Sequence, residues 1–377
     1  MRVTLMLSSS AFSGAESVVY YLLKNMAKNS DIELQLIVNQ EIVNYYNHLG
    51  NENNIEIFCY GPHNLEFHSS IMKGLDKVLR LSRRYKKIFK INKPHLKHKY
   101  KDRIINAISE FNPDFVHVHM YRTLETYLLV HNFLKNNHIK SCYTWHGDKM
   151  NRYKKYIIEN DFFDIYTAVS YDAKMCWQSY FSKEIHTIYN GVDMNIDRLK
   201  DINYGDQERL KILFPAGQRR NKGYDYVLRL NHFLLEAYPN FQIRICGGSK
   251  LKYIDNIRYL GYMNHEKYLD EVARCDILVR PAKDDTFAIS ILEAHALNKE
   301  IICSNLPVYK EVYGEPKNIH YVDLNQDKFN KQVLNIIKRI EKEDRKEFSV
   351  NERLLSEFSW DEIANKYINL YIDYFKI

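Results

Sequence analysis

The chain has 377 residues, of which 45% are hydrophobic, and its formal net charge at pH 7 is +7. This length exceeds what one hydrophobic core usually serves, so two domains of about 180 residues each are expected. The opening run MRVTLML is too short and too soon polar for a signal peptide, and no window is apolar for long enough to span a membrane. The fifteen histidines lack the spacing of a metal motif, so no metal site is expected.

Six cysteines are spread along the chain without CxxC or paired spacing. Disulfides and metal ligands usually show such spacing, and free thiols are typical of a reducing cytoplasm. We therefore expect buried free thiols and a cytoplasmic protein.

The first part of the chain alternates between strand and helix signals. Val3–Leu7 predicts a buried strand, and the apolar spacing of Val18–Ala27 predicts a helix that Gly14-Ala15-Glu16 opens. A glycine at that turn lets a phosphate or an acceptor approach the backbone. The alternation continues over three further segments, Glu33–Val38, Glu41–Leu49 and Ile55–Cys59. This order is typical of a doubly wound parallel sheet.

The positive charge is concentrated in one segment. Thirteen basic and two acidic residues lie between Lys73 and Arg103, which gives a local net charge of +11. Residues 71–89 carry an apolar stripe and a nearly opposite cationic stripe at helical spacing. A solvated helix face explains such a run, and so does attraction of residues 71–103 to an anionic membrane surface at the inner face of the membrane. Nucleic acid is not expected as a partner, because no nucleic-acid-binding motif accompanies the charge.

Two predicted strands of the first part end in histidine. They are Pro113–His119 and the strand from Cys142 to His146, which Asp148 follows closely. Ligands of open parallel sheets bind outside the carboxyl ends of the strands, so both histidines are candidates for a binding site. His119 is equally well explained as a hydrogen-bonded loop residue.

The strand and helix alternation restarts in the second half. A polar, weakly patterned stretch at 194–208 predicts a linker, Leu210–Pro215 a strand and Gly217–Gly223 a basic loop. The cationic side chains of this loop are Arg219, Arg220 and Lys222. Two cations suit a diphosphate, whereas a solvated basic loop is the simpler interpretation.

A strand, a loop and a helix are predicted around residue 285. Asp276–Arg280 predicts a buried strand, and Asp284–Thr286 stands where the helix in Pro281–Leu297 would be capped. A helix N-terminus favours a diphosphate. Asp285 and Glu293 are about two turns apart, so they can hold separate hydroxyls of a long polar ligand. A capped helix with a buried glutamate is the plainer interpretation.

The stretch PAKDDTFAISILEAHAL resembles the donor-site signature of the retaining GT-B glycosyltransferases called glycosyltransferase family 4. The matching residues are Pro281, Phe287, Leu292, Glu293 and Ala294. Asp285 replaces the first glutamate of the signature, and Thr286 and Ala288 replace two glycines. Weaker matches follow the family order along nearly the whole chain: Gly14-Ala15-Glu16, Pro113–His119, Asp164–Ser170, Ile188–Asp193, Lys222-Gly223, Ile257–Gly261, His265–Cys275, Ile301–Pro307 and Phe358–Trp360.

The resemblance implies an α/β GT-B fold, with two Rossmann-like doubly wound domains that face each other across a cleft. It implies an acceptor-side domain at 1–190, a linker at 191–208 and a nucleotide-sugar donor domain at 209–360. A C-terminal helix at 361–377 is expected to cross back to the first domain.

The resemblance also implies the reaction. A sugar passes from a nucleoside-diphosphate sugar to a glycan or lipid-linked acceptor with retention, as in surface polysaccharide or glycoconjugate synthesis. No cofactor or metal is expected if cationic side chains hold the diphosphate, and no protein nucleophile is expected.

The resemblance assigns roles to individual residues. Those expected at the leaving diphosphate are Lys222, one of Arg219 and Arg220, and the backbone amides of Phe287, Ala288 and Ile289. Those expected around the rest of the donor are Asp285 and His146 at the sugar, Glu293 at the ribose, and Gly14 and Gly217. Those expected on the acceptor side are Glu16, His119 and Asp148.

Two other functions remain open. A catalytically silent GT-B subunit of a glycosylation complex would explain the departures at Asp285 and Thr286. Aspartate is one methylene shorter than glutamate, and a misplacement of about 1 Å can cost roughly 100-fold in rate. An epimerase that acts on a nucleotide sugar alone is a second alternative, although a basic acceptor-side helix argues against it.

Overall fold

A computed structural model describes most of the chain. The described residues are 1–9, 14–62, 93–120, 122–147, 159–202, 209–249, 254–342 and 349–375. The predicted amphipathic helix at 71–89 and Asp148 lie outside these ranges. The chain divides into two compact units. The first comprises Met1–Val169, Lys174–Ile188 and Ala364–Ile377, and the second comprises Ser170–Ala173 and Tyr189–Ile363.

A parallel sheet forms the centre of the first unit. Among the described residues it has seven strands in the order β3-β2-β1-β4-β5-β6-β7. Their bounds are β1 Arg2–Leu7, β2 Glu33–Val38, β3 Glu56–Cys59, β4 Phe115–His119, β5 Lys140–Trp145, β6 Ile165–Ala168 and β7 Ile185–Thr187. Parallel sheets are covered on both faces, and accordingly Leu5 and Met6, whose side chains point to opposite faces of β1, are both buried.

Helices connect these strands, as the alternating pattern predicts. Their bounds are α1 Gly14–Met26, α2 Asn47–Asn53, α3 Lys93–Phe111, α4 Thr123–Asn136 and α5 Tyr171–Gln178. Pro94 is the second residue of α3, where a missing N–H breaks no helical hydrogen bond. Cys176 in α5 is exposed, so the expectation that every thiol is buried is wrong for this residue.

The second unit contains a second parallel sheet. Its six described strands have the order β10-β9-β8-β11-β12-β13. Their bounds are β8 Leu210–Phe214, β9 Phe241–Cys246, β10 Ile257–Gly261, β11 Ile277–Arg280, β12 Glu300–Ser304 and β13 Ile319–Val322. The core on one side of this sheet packs Phe214 and Ile243 against Leu230 and Val333.

The remaining helices follow in chain order. Their bounds are α6 Ile196–Lys200, α7 Tyr224–Ala237, α8 His265–Arg274, α9 Ile289–Ala296, α10 Pro307–Tyr313, α11 Gln326–Ile340, α12 Glu352–Glu357 and α13 Trp360–Phe375. Helix α6 lies where the sequence predicts a linker. Asn195 caps it through a 3.0 Å bond from the Arg198 amide, and Arg198 pairs with Asp270 at 2.5 Å.

The C-terminal helix α13 contributes to the first unit from Ala364 onward. Within that unit, the ring of Tyr371 stacks on Phe115 at a centroid distance of 5.0 Å. The hydroxyl of Tyr371 lies 2.5 Å from Nδ1 of His117 on β4. No helix among the described residues is both long and apolar enough to span a membrane.

Candidate active site

Both sheets reverse their strand order at their first strand. The neighbours of β1 are β2 and β4, and those of β8 are β9 and β11. In open parallel sheets, ligands bind outside the carboxyl ends of the strands at this switch point. The switch points therefore lie at the carboxyl ends of β1 and β4 in the first sheet and of β8 and β11 in the second, and β5 is the next neighbour of β4.

The basic loop after β8 is packed closely against two other loops. Gly217 has a φ of +55°, and a Cβ there would lie 2.9 Å from the carbonyl carbon of Gly247. Gly223 has a φ of +92°, and a Cβ there would lie 2.0 Å from the carbonyl oxygen of Pro281. Only glycine allows these approaches, and the second one places Lys222 beside the loop that follows β11.

Asp285 in that loop is at the centre of a buried charge cluster. Its Oδ1 accepts from Nζ of Lys222 at 2.9 Å and from the amide of Thr286 at 3.1 Å. Its Oδ2 accepts from Nη2 of Arg280 at 2.8 Å and from the hydroxyl of Tyr309 at 2.9 Å. The Arg280 and Asp285 side chains are each only 7% exposed.

The charges in this cluster change the pKa of Asp285 more than its burial does. Burial raises the pKa of the Asp285 carboxyl, but the charges of Arg280 and then of Lys222 lower it by more, so that the pKa is about 2. The carboxylate is therefore ionised at neutral pH. We call Lys222, Arg280, Asp285 and Tyr309 the Asp285 cluster. The carboxylate of Asp284 also lies 3.8 Å from Nζ of Lys222, so two carboxylates balance these two cations. The surplus positive charge at this place comes from Arg219, which lies near Arg280 and Asp285.

The predicted helix cap at Asp284–Thr286 is wrong. Helix α9 begins at Ile289, and its N-cap residue is Ala288, which has no side-chain cap bond. The physical reason is that the cations and Tyr309 occupy the carboxylate of Asp285. The turn is held from outside instead, because the hydroxyl of Tyr313 donates to the carbonyl of Ala288 at 2.6 Å.

Phe287 in the same turn is buried by other rings. Its ring lies 6.2 Å from that of Tyr189 and 6.4 Å from that of Tyr313, measured between centroids. The turn that leads into α9 therefore presents backbone rather than side chain. The first amides of a helix have no partner inside the helix, so they remain available to an anion.

Glu293 is the second acid of the motif and pairs with a histidine. It is 3% exposed, and its Oε1 lies 2.6 Å from Nε2 of His265, the first residue of α8. Burial lowers the pKa of His265, but Glu293 outweighs it, so the pKa is raised above its ordinary value. Asp193 contributes in the same direction. The pair is therefore ionic over a wider pH range than a free imidazole would allow.

The two candidate arginines of the basic loop differ in their surroundings. Nε of Arg219 donates to the carbonyl of Ala216 at 3.1 Å. Desolvation of its guanidinium and the nearby Arg280 lower the pKa of Arg219, while Asp285 raises it. Arg219 thus lies beside the Asp285 cluster. Arg219 and Arg220 are both exposed residues, and Arg220 begins a short 3-10 turn, Arg220–Lys222.

Histidines meet at the carboxyl ends of β4 and β5 in the first unit. Nδ1 of His119 lies 3.0 Å from Nε2 of His146, and the rings of His117 and His119 are 4.0 Å apart between centroids. His117 is held at both nitrogens, by Thr144 at 2.7 Å and by Tyr371 at 2.5 Å. We call His117, His119 and His146 the histidine cluster.

The histidine cluster is electrically neutral at pH 7. Burial lowers the pKa of His117 to about 3 and that of His146 to about 4. Burial also lowers the pKa of His119 well below its ordinary value. A neutral imidazole both donates and accepts a hydrogen bond, which suits a sugar hydroxyl. His119 itself is fully buried, so it supports His146 rather than facing solvent.

The other predicted residues of the first unit differ in exposure. Gly14 is the first residue of α1, and a Cβ there would enter open space, so packing does not require the glycine. Glu16 is only 1% exposed, and its carbonyl accepts a 2.7 Å bond from the hydroxyl of Tyr46. Glu16 is therefore an interior residue in this structure.

Several residues of the clusters were missed at the sequence level: Arg280, Tyr309, Tyr313 and His265. Arg280 ends a predicted strand directly before Pro281, which is a weak signal for a partner of Asp285. Nothing local to Tyr309 or Tyr313 connects them to a motif more than twenty residues earlier. Among the described residues, no group of three or more His, Cys, Asp or Glu side chains is arranged to hold a metal ion.

The chain is similar in sequence to known proteins. A family model described as Glycosyltransferase Family 4 matches residues 12–196, and one described as Glycosyl transferases group 1 matches residues 195–354. A 41.2 kDa protein of the cps region of Klebsiella pneumoniae is 23% identical over 234 residues, 58% of this chain and 61% of that protein.

Two further proteins are similar. A phosphatidyl-myo-inositol mannosyltransferase of Propionibacterium freudenreichii is 22% identical over 160 residues, 41% of this chain and 42% of that enzyme. This match and the Klebsiella match thus span less than two thirds of those proteins. The crystal structure of HepE from Anabaena in complex with UDP and glucose has a TM-score of 0.70 at 13% identity, over 98% of this chain and 99% of that one.

The two family models follow one another along the chain, and the two parallel sheets match the GT-B architecture of the solved structure. The chain belongs to the group 1 glycosyltransferases of the GT-B fold.

Proposed function

We propose that the protein transfers a sugar from a nucleoside-diphosphate sugar to a glycan or lipid-linked acceptor, with retention at the anomeric carbon. The observation that carries the proposal is the Asp285 cluster at the switch point of the second sheet. Two cations there share one carboxylate at 2.8 and 2.9 Å. Arg219 beside this cluster adds a further positive charge, which suits a diphosphate, as does the N-terminus of α9.

Lys222 is the best-placed cation for the leaving group. Its ammonium donates to the carbonyl of Asp284 at 2.8 Å and to Oδ1 of Asp285 at 2.9 Å. An ammonium has three N–H donors, so one remains for a phosphate oxygen. Arg219 is the second cation, because its guanidinium lies near Asp285 and Arg280. Cationic side chains then take the role that a metal ion plays in other phosphate sites, so no metal is needed.

The reaction follows from this charge distribution. The bond between the anomeric carbon and the diphosphate oxygen breaks, and the acceptor oxygen bonds to the anomeric carbon from the same face. The acceptor proton passes to the departing diphosphate, so no protein nucleophile takes part. Catalysis is then mainly positioning of the reactants and stabilisation of the charge on the leaving group.

Asp285 acts mainly by holding the cations. Its two oxygens accept four hydrogen bonds, from Lys222, Thr286, Arg280 and Tyr309. A carboxylate has about four lone-pair sites, so these donors fill its capacity. A sugar hydroxyl would have to displace one of them. The contact of His146 with the donor sugar remains part of the proposal, and its neutral imidazole suits that role.

Two observations support a lipid-linked acceptor. A relative is a phosphatidyl-myo-inositol mannosyltransferase, which supports a lipid-linked acceptor. The strongly basic segment 71–103 has a composition that favours binding to an anionic membrane. Each basic residue near such a surface contributes about 1 kcal/mol of binding free energy. Co-sedimentation with neutral and anionic vesicles at low and high salt tests this. Binding that ignores lipid charge would contradict it.

The silent-subunit alternative remains a second candidate because Asp285 replaces a glutamate. The 2.9 Å contact with Lys222 favours the enzyme, since the shorter side chain still reaches a cation of the basic loop. Failure of the wild type to turn over any donor with a broad acceptor panel would favour the silent subunit.

The experiment for the proposed reaction is a transfer assay with UDP-, GDP- and ADP-linked hexoses and a panel of glycan and lipid-linked acceptors. We expect one donor to yield product in the presence of EDTA. Nuclear magnetic resonance of the fresh product should show the anomeric configuration of the donor. An inverted product would contradict retention, and activity abolished by EDTA would contradict the metal-free mechanism.

A further inference from the structure

The pairing of Glu293 with His265 has features beyond those of an ordinary buried ion pair. The side chain of Glu293 is 4% exposed and that of His265 is 32% exposed, and their atoms approach to 2.6 Å. The bond uses only Oε1 of Glu293. Among the residues that the structure describes, no other side chain bonds to this carboxylate, so Oε2 is uncommitted.

The surroundings of the pair are polar and incompletely satisfied. The hydroxyl oxygen of Tyr268, one turn along α8 from His265, is buried without a hydrogen-bond partner among the described residues. Its ring stacks on that of His265 at a centroid distance of 6.2 Å. Burial raises the pKa of Tyr268, and the charge of Glu293 raises it as well, so the hydroxyl lies within electrostatic reach of the carboxylate. A buried donor without a partner beside a half-used carboxylate is what a hydroxyl-bearing ligand would complete.

The position of His265 is fixed by the local sequence. Asn264 caps α8 through a 3.0 Å bond from the amide of Lys267 to its side chain, so His265 always occupies the first helical position. The imidazole thus reaches Glu293 from a rigid element. A buried carboxylate that is fixed at one oxygen has a defined direction for the other.

We propose that His265 is a positioning residue that selects ribonucleotide over deoxyribonucleotide donors: it fixes Oε1 of Glu293 so that Oε2 faces the ribose hydroxyls. The inference rests on the proposed function, because it takes Glu293 to be the ribose-binding acid of the donor site. It adds a residue and a consequence that the family resemblance does not supply. Removing the imidazole N–H frees the carboxylate to rotate, and the ribose hydroxyl loses a fixed acceptor.

The chain offers a matched pair of variants for this test. In His265→Gln the side-chain amide can place an N–H close to the position of Nε2, whereas in His265→Asn the amide is too short to reach Glu293. Both variants are polar and similar in size, so a difference between them reports the bond rather than bulk or polarity.

A second histidine–glutamate pair serves as a structural control. His320 on β13 lies 2.8 Å from Glu300 on β12, with exposed fractions of 11% and 12%. This pair joins two strands on the far side of the second sheet from β10. His320→Asn removes a buried bond of the same type and should lower stability without touching nucleotide selectivity.

The measurement is isothermal titration of UDP, GDP and ADP and of their 2′-deoxy counterparts into the full chain. We expect the wild type to bind one ribonucleotide about 10- to 100-fold more tightly than its deoxy form, the range for a hydrogen bond to a charged group. His265→Asn should reduce this ratio to within about 3-fold, while His265→Gln and His320→Asn keep most of it. With a nucleotide sugar as substrate, His265→Asn should raise KM and leave kcat nearly unchanged.

The possible failures are distinguishable. If no nucleotide binds the wild type, the donor site itself is wrong and the inference fails with it. If the wild type binds nucleotides without preferring the ribose form, donor binding stands and the role of Glu293 and His265 is overturned. If folded His265→Asn keeps the wild-type ratio, the pair is only structural.

Discussion

The two units carry different functional side chains near the carboxyl ends of their parallel strands. In the first unit, burial lowers the pKa of His117 to about 3 and that of His146 to about 4. In the second unit, His265 is paired with Glu293 and its pKa is raised. His117 is fully buried, whereas His265 is 32% exposed and has a carboxylate partner, so both burial and partner separate the two pKa values.

The two kinds of site suit different chemical groups. Sugar hydroxyls are neutral and need groups that donate and accept, which a neutral imidazole can do. A diphosphate and a ribose need cations and a fixed carboxylate, roles that the proposed function assigns to the cations near Asp285 and to Glu293. Substitutions that remove a neutral imidazole and substitutions that remove a charged group should therefore have different effects on stability and activity.

Removal of the Asp285 carboxylate should have the largest effect on stability. Asp285→Ala leaves the buried Arg280 without its partner, and breaking a buried pair costs about 3–5 kcal/mol. Urea unfolding measures this free energy. Glu357→Ala is the control, because its pair with Arg353 is exposed at 53% and 88% and should contribute less than about 1 kcal/mol. Equal losses in the two variants would contradict the buried cluster.

Loss of a diphosphate cation should affect turnover more than folding. Lys222→Met removes one charge from the leaving-group site, so kcat/KM should fall about 100- to 1,000-fold. The kcat/KM of Arg219→Met should also fall, whereas that of Arg220→Met should stay close to the wild-type value. Steady-state kinetics with the donor that the transfer assay identifies checks this order. A large loss in Arg220→Met with none in Arg219→Met would reverse the assignment.

The two histidine environments should give opposite pH dependences of stability. For His117 the pKa in the folded state lies below the ordinary value of about 6.5, so its contribution is full above pH 6.5 and lost as the pH falls towards 3. For His265 the pKa is raised, so its contribution is full below pH 6.5 and lost as the pH rises through the raised value. The unfolding free energies of the wild type, His117→Gln and His265→Gln are measured at pH 5, 6, 7 and 8. The difference between the wild type and His117→Gln should grow as the pH rises, whereas the difference between the wild type and His265→Gln should shrink. The same trend with pH for both variants would refute the comparison.

The smallest effect is expected where α13 meets the histidine cluster. Tyr371→Phe removes the hydroxyl that bonds to Nδ1 of His117, which should cost about 1 kcal/mol. Tyr374→Phe changes a tyrosine of the same helix that contacts Phe115 through its ring. Its unfolding free energy should stay close to that of the wild type.

Much of the fold follows from local patterns in the sequence. The alternation of apolar runs and helical stripes predicts β1, α1, β2, β4, β8 and β11 close to their observed bounds, because buried parallel strands require continuous apolar residues. The placement of histidines and acids after these strands also follows, since strand ends define the switch points. The motif around Asp285 is therefore found from the sequence.

The contacts that give the site its character depend on long-range packing. Tyr309 reaches Asp285 across 24 positions of the chain, and Lys222 reaches it across 63. The bond between His117 and Tyr371 spans 254 positions. No local pattern encodes such pairs, and for this reason the sequence predicts a helix cap at Asp285 where the structure has a charge cluster.

The most direct test of the account is a thermal-shift panel of nucleotide sugars on the wild type, Lys222→Ala and Glu293→Gln. One donor at 100 times its dissociation constant should stabilise the wild type by about 2.7 kcal/mol. Both variants should remain folded and lose this stabilisation. Wild-type donor binding in both variants would place the donor site elsewhere and contradict the central claim.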